Sequence, residues 1–204
     1  MINQFKTALG AALICAASSL PVSATTFYLG GSGGSASSYA FSSDGIDLSV
    51  SAGTFSGNRI HDGAQIHQTD DGLGVLSQRR DSGQVDGRGR NDLLLFEFDR
   101  DIELEAIAFT FNDRNDDFTF FWDIGSGLRN AGQYDIPGSS WFSIIYAGGG
   151  LIGDVFGIGA TGNNDNFRVV GIEVSDVSQV PLPATGLLLL GALGAIGARR
   201  KLRR

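Results

Sequence analysis

Short runs of alternating apolar and polar residues dominate the middle of the chain, and no segment there shows a convincing period of 3.6. Phe118, Phe120 and Trp122 alternate with Thr119 and Phe121, and Val170, Ile172 and Val174 alternate with Gly171, Glu173 and Ser175. A period of two marks half-buried β-strands. The pattern predicts strands near Tyr39–Ser42, Ile46–Ala52, Gly74–Ser77, Asp92–Phe98, Glu103–Phe111, Phe118–Asp123, Trp141–Ala147, Asp154–Ile158 and Phe167–Ser175. Asn112-Asp113-Arg114-Asn115-Asp116-Asp117 and Gly162-Asn163-Asn164-Asp165-Asn166 lie between strands and carry turn chemistry. Thr25 to Ser38 is Gly/Ser-rich around Phe27-Tyr28-Leu29 and reads as a loose N-terminal strand and linker. Many short strands without helical crossovers imply an all-β fold of two packed antiparallel sheets. A jelly-roll sandwich over 39–178 is the expected form.

Two apolar stretches at the ends have a different character. Met1 to Ala24 has a positive residue at Lys6, a small-and-apolar run over Ala8 to Ala17, and Pro21-Val22-Ser23-Ala24 before an expected cut after Ala24. That is the layout of a secretory signal peptide with a helical apolar region. At the other end, Val180-Pro181-Leu182-Pro183-Ala184 precedes an apolar run from Thr185 to Ala198 and the basic tail Arg199-Arg200-Lys201-Leu202-Arg203-Arg204. About 14–17 apolar residues at ~1.5 Å each span ~21–26 Å, slightly under the ~30 Å hydrocarbon core. Local thinning and snorkelling basic side chains still allow a transmembrane helix there. The basic cluster keeps the extreme C-terminus cytoplasmic, so the domain faces outward.

Composition sharpens this picture. The only cysteine is Cys15, inside the signal segment, so the exported domain has none to form a disulfide. The chain's 14 Phe and two Trp supply the large buried area instead. All 22 acidic residues fall between Asp44 and Asp176, against nine Arg in the same span, a balance of 9 − 22 = −13. An acidic domain lacks the basic footprint that nucleic acid requires. It suits cation binding or solubility outside the cell.

The residues Val180, Pro181, Leu182, Pro183 and Ala184, with the apolar and basic segments after them, resemble the PEP-CTERM class of bacterial sorting signals in its Val-Pro-Leu-Pro-Ala variant. The resemblance implies recognition by an exosortase, a membrane cysteine protease of Gram-negative bacteria. It implies removal of the tail after an inner-membrane stage, and delivery to the cell surface or the extracellular polysaccharide matrix. Leu182-Pro183-Ala184-Thr185-Gly186 also fits the Leu-Pro-x-Thr-Gly sortase signal of Gram-positive walls. The upstream Val180-Pro181, the short apolar segment and the absence of Lys from the domain favour the exosortase. Asp71-Gly72-Leu73-Gly74-Val75, Asp86-Gly87 and Asn91-Asp92-Leu93-Leu94-Leu95-Phe96 are similar to segments of β-rich domains often joined to such tails.

Candidate chemistry within the domain is sparse. Gly30-Gly31-Ser32-Gly33-Gly34 has the spacing of a nucleophile elbow, which works only between a strand and a helix. Gly157-Ile158-Gly159-Ala160-Thr161-Gly162 has dinucleotide-loop spacing, but Asn163-Asn164-Asp165 follows where a helix is required. His61 and His67 are expected as surface residues, too far apart in an extended chain to share a metal. Glu97, Glu103, Glu105 and Glu173 show no glycosidase signature. No enzymatic activity is expected from these sets. Two acidic clusters are calcium candidates: Asp86, Asn91 and Asp92 in one loop, and Asp113, Asn115, Asp116 and Asp117 in the other. Hard cations take six to eight oxygens, which flexible Gly-rich loops can wrap to supply. Neither cluster follows EF-hand or nonapeptide spacing. Trp122, Trp141 and Tyr146 are the candidate stacking residues for a glycan. The sum predicts an exported, non-catalytic surface or matrix protein, structural or adhesive in role, with a carbohydrate-binding module as the alternative.

Overall fold

The computed structural model describes residues 24–123, 125, 127–136, 138, 141–144 and 150–177. The sorting motif, the C-terminal apolar segment, Tyr146 and the signal segment up to residue 23 lie outside the described residues. The described strands, in chain order, are β1 (Ala24–Tyr28), β2 (Gly34–Ala36), β3 (Ser38–Ser43), β4 (Ile46–Ser56), β5 (Arg59–Asp62), β6 (Gln65–Thr69), β7 (Gly72–Leu76), β8 (Val85–Asp86), β9 (Asn91–Thr110), β10 (Asp117–Asp123), β11 (Leu128–Asp135), β12 (Trp141–Ser143), β13 (Leu151–Gly159) and β14 (Asn166–Asp176). Every pairing among them is antiparallel, and the described residues contain no helix.

The 20-residue β9 organises the domain. Its first part pairs with β4 on one side (Leu48 opposite Phe98, Ala52 opposite Leu94) and with β13 on the other (Phe156 opposite Phe96). Its second part pairs with β14 (Ile172 opposite Ile107) and with β12 (Trp141 opposite Ala108). The sequence pattern predicts two strands here, because Asp99-Arg100-Asp101 interrupts the apolar positions. In the fold the strand continues through this exposed trio. Arg100 holds it down by donating to Asp99 at 2.6 Å and to the Gly45 carbonyl at 2.8 Å. Polar residues therefore need not mark a turn when a long strand crosses the rim of the core.

Side chains from β1, β4, β6, β7, β9, β10, β13 and β14 meet in one buried cluster, giving an all-β, sandwich-like arrangement. Phe109 contributes edge-to-face contact with Phe167 and tilted contact with Phe118, geometries that favour aromatic pairs. Two expectations change in detail. β10 is buried on both faces rather than one: Phe118 and Phe120 enter the main cluster, while Phe121 packs with Phe55 and Leu93 in a second one. The Gly/Ser-rich N-terminal segment also carries core structure. Phe27 and Leu29 are buried, and β1 pairs along its whole length with β14, from Ala24 opposite Ser175 to Tyr28 opposite Gly171. A window this short and Gly-rich shows too few apolar positions for its pairing to be read from sequence.

Candidate functional site

Two acidic loops were singled out by composition, and the fold gives them opposite roles. The first lies between β7 and β9. As the chain leaves β7, the backbone N–H groups of Ser77 and Gln78 donate to Asp81 Oδ2 at 2.9 and 3.2 Å, closing a turn. Ser82 Oγ donates to Asp86 Oδ2 at 2.7 Å. The short β8 then pairs Asp86 with Asn166 of β14, which fixes its backbone. The Arg88 N–H donates to Asp86 Oδ1 at 2.9 Å, and the Asp86 N–H donates to Asp92 Oδ2 at 3.2 Å. Asp92 stands at the start of β9 and is held by strand pairing opposite Thr54. Gly87 permits the loop to lie against its neighbour: a Cβ there would sit 2.5 Å from the Gly162 carbonyl oxygen.

These constraints bring Asp81, Asp86 and Asp92 together, with a ligand oxygen from each within 4.8 Å of the others. Asp92 is 0% exposed and Asp86 4%. Asp81 Oδ1 and Asp92 Oδ1 are buried and accept no hydrogen bond. Burial pushes the Asp92 carboxyl up to about 8, and the Asp81 and Asp86 charges push the same way. The Ser77 hydroxyl and the Asp86 N–H pull it back only in part. Asn91, grouped with Asp86 and Asp92 in the sequence, does not join them. Successive side chains of a strand point to opposite faces. Asn91 instead lines a cleft with Thr54, His61, Asp62 and Arg90. Asp81 was missed by sequence reasoning. The available signal was the Ser77-to-Asp81 turn, in which an acidic side chain caps backbone donors.

The second loop has its buried carboxylates occupied by hydrogen-bond donors. Asp116, 1% exposed, accepts the Asp113 N–H at 2.5 Å and the Asn166 N–H at 3.1 Å. Asp165 accepts the Gly162 N–H at 2.7 Å and the Asp117 N–H at 3.4 Å. Asp113 accepts the Asn115 N–H at 3.0 Å, and Asp117 accepts from Gln133 Nε2 at 3.1 Å. Burial raises Asp117 above the usual carboxylate range, with Asp135 and Asp165 adding to it. Asp113, Asn115 and Asp117 thus join a network that ties the loop to β14 and β11. The fold does not bring them near Asp86 and Asp92 as one group.

The two described candidate aromatics differ in the same way. Trp122 is half-buried against the core and donates its ring N–H to the Ile152 carbonyl at 3.2 Å. Trp141 is 39% exposed on β12. It lies opposite Ala108, which lies opposite Gly171, which lies opposite Tyr28. Directly opposed residues share a sheet face. The row therefore sets two exposed rings, Trp141 and Tyr28, above a floor of two small residues. Trp141 leans inward, its ring tip 3.1 Å from where a Gly171 Cβ would stand. Tyr28, 76% exposed, is not among the sequence candidates, which its loose strand-and-linker segment gave no reason to include.

The remaining motifs take structural places. Gly30–Gly34 leads into β2, not into a helix, and Gly157–Gly162 runs from the end of β13 into a turn. His61 is on β5 and His67 on β6, where its Nδ1 bonds Ser35 Oγ at 3.2 Å. No protein-family model, curated protein or solved structure matches this chain.

Proposed function

We propose that this chain is an exported protein of the bacterial surface or extracellular matrix, structural or adhesive in role, whose tail is processed by an exosortase. The observation that carries the reading is the order Val180-Pro181-Leu182-Pro183-Ala184, apolar segment, basic tail. In this reading the apolar segment forms a transient transmembrane helix with its basic end in the cytoplasm, and the domain is a jelly-roll variant. The ends of the domain are compatible with processing. A cut after Ala24 would remove only the exposed first residue of β1, leaving Thr25 to Tyr28 paired with β14. Ala24 lies opposite Ser175, so the new N-terminus and the end of the last strand share one rim. The test is expression in a host with and without its exosortase, with mass spectrometry of the product. Loss of the tail only when the exosortase is present, blocked by Pro183→Ala, is the expected result. A retained tail in the competent host, or covalent attachment through Thr185 by a sortase, would sink the proposal.

A second reading, glycan binding at the cell surface, is favoured by the Tyr28–Trp141 row. Two exposed rings in one cross-strand row suit stacking against the apolar face of a sugar. Glycan-array binding lost in a folded Trp141→Ala variant would support it. Binding that survives both Trp141→Ala and Tyr28→Ala would remove it.

A further inference from the structure

We propose that Asp81, Asp86 and Asp92 bind one calcium ion, which ties the loop between β7 and β9 to the sheet. Clusters of acidic residues are common on protein surfaces and by themselves mean little. This one differs in its interior. Asp92 is wholly buried, its Oδ1 has no hydrogen-bond partner, and its carboxyl group lies beside two others. Asp81 Oδ1 is buried and unpartnered in the same place. A buried carboxylate oxygen without a donor loses its hydration for nothing in return. Asp116 and Asp165, by contrast, each accept a backbone N–H on both carboxylate oxygens. The two free oxygens point to a cation as the missing partner.

The donor set selects the class of cation. All three side chains supply hard carboxylate oxygen, and neither His nor Cys belongs to the group. That chemistry disfavours zinc, which takes nitrogen and sulfur ligands. Calcium accepts irregular oxygen shells and loops that deform to fit, while magnesium demands a near-ideal octahedron and keeps most of its water. Three carboxylates against a doubly charged ion leave one net negative charge, and the number of charged ligands is one of the quantities that tunes calcium affinity. The site would act on the exposed Arg79-Arg80 segment, which lies inside the Ser77–Asp81 turn and ahead of β8. Arg88, on the same loop, donates to the Asn163 carbonyl at 3.3 Å. Ordering this loop would therefore also secure the turn between β13 and β14.

The experiment uses the full chain, stripped with chelator, then titrated with calcium or magnesium while its melting temperature and its cleavage by trypsin are followed. At calcium about 100 times Kd, melting is expected to rise by roughly 5–10 °C. Cleavage after Arg79 or Arg80 is expected to slow about fivefold or more, because closure of the opened loop is what the ion stabilises. Asp92→Asn and the less buried Asp81→Asn should each abolish both effects, while Asp117→Asn should keep them. Isothermal titration of the unmutated chain should give one calcium site. No shift at millimolar calcium, an equal shift in the Asp81→Asn and Asp92→Asn variants, or a response to magnesium and not to calcium would each overturn the assignment.

Discussion

Replacing Asp92 with Asn is expected to stabilise the metal-free protein above pH 6, although it alters a fully buried side chain. In the folded chain the Asp92 carboxyl is pushed from 3.8 up to about 8, chiefly by burial and then by Asp81 and Asp86. Between those two values the folded state holds a proton that the unfolded state has released. The fold is therefore fully stable with respect to this group below about pH 4, and loses stability as pH rises towards about 8. At ~1.4 kcal/mol for each pH unit, the loss is about 4 kcal/mol by pH 7 and about 6 kcal/mol above pH 8. That is a large share of the ~5–15 kcal/mol that holds a domain together. An Asn at the same place has no charge to desolvate. Its carbonyl can keep the Asp86 N–H, and its amide can donate to the neighbouring carboxylates. The assay is urea unfolding of both proteins in chelator at several pH values. Taking the difference between the two cancels whatever groups titrate alike in both proteins. The gap should be small near pH 4 and should open to several kcal/mol by pH 8. A constant gap across that range, or an Asp92→Asn protein less stable than the parent at pH 8, would refute the reasoning.

Two further outcomes follow from the same contrasts. Asp116→Ala should destabilise the domain by about 2–4 kcal/mol in urea unfolding, since it orphans the N–H groups of Asp113 and Asn166. Calcium should not change that loss, because Asp116 belongs to the saturated loop. Phe121→Ala should cost about 3–5 kcal/mol, the range for emptying a buried aromatic site. A loss under 1 kcal/mol would mean that the small cluster of Phe55, Leu93 and Phe121 contributes no real packing.

How far the sequence reached can be judged residue by residue. The period of two over Phe118–Trp122 and Val170–Ser175 was enough to place β10 and β14, because alternation is a local property of one strand. The burial of Phe121 was not legible. It depends on Phe55 and Leu93, which reach the outer face of β10 from distant strands. Likewise Asp86 and Asp92 could be paired by proximity, and Asn91 was grouped with them for the same reason. Strand alternation sends Asn91 the other way, and the loop turn brings in Asp81 from farther back.

The chain's termini and overall class were a matter for sequence alone. The proposed sorting signal rests on a linear string of residues, and an all-β domain announces itself through short alternating runs and the absence of a helical period. What tertiary structure decided was which polar groups are already satisfied. Both acidic loops read alike in sequence. Only the fold saturates Asp116 and Asp165 with backbone donors while leaving Asp81 and Asp92 each with a buried, unpaired oxygen. Satisfaction depends on where donors from remote strands come to rest, and no local pattern carries that information.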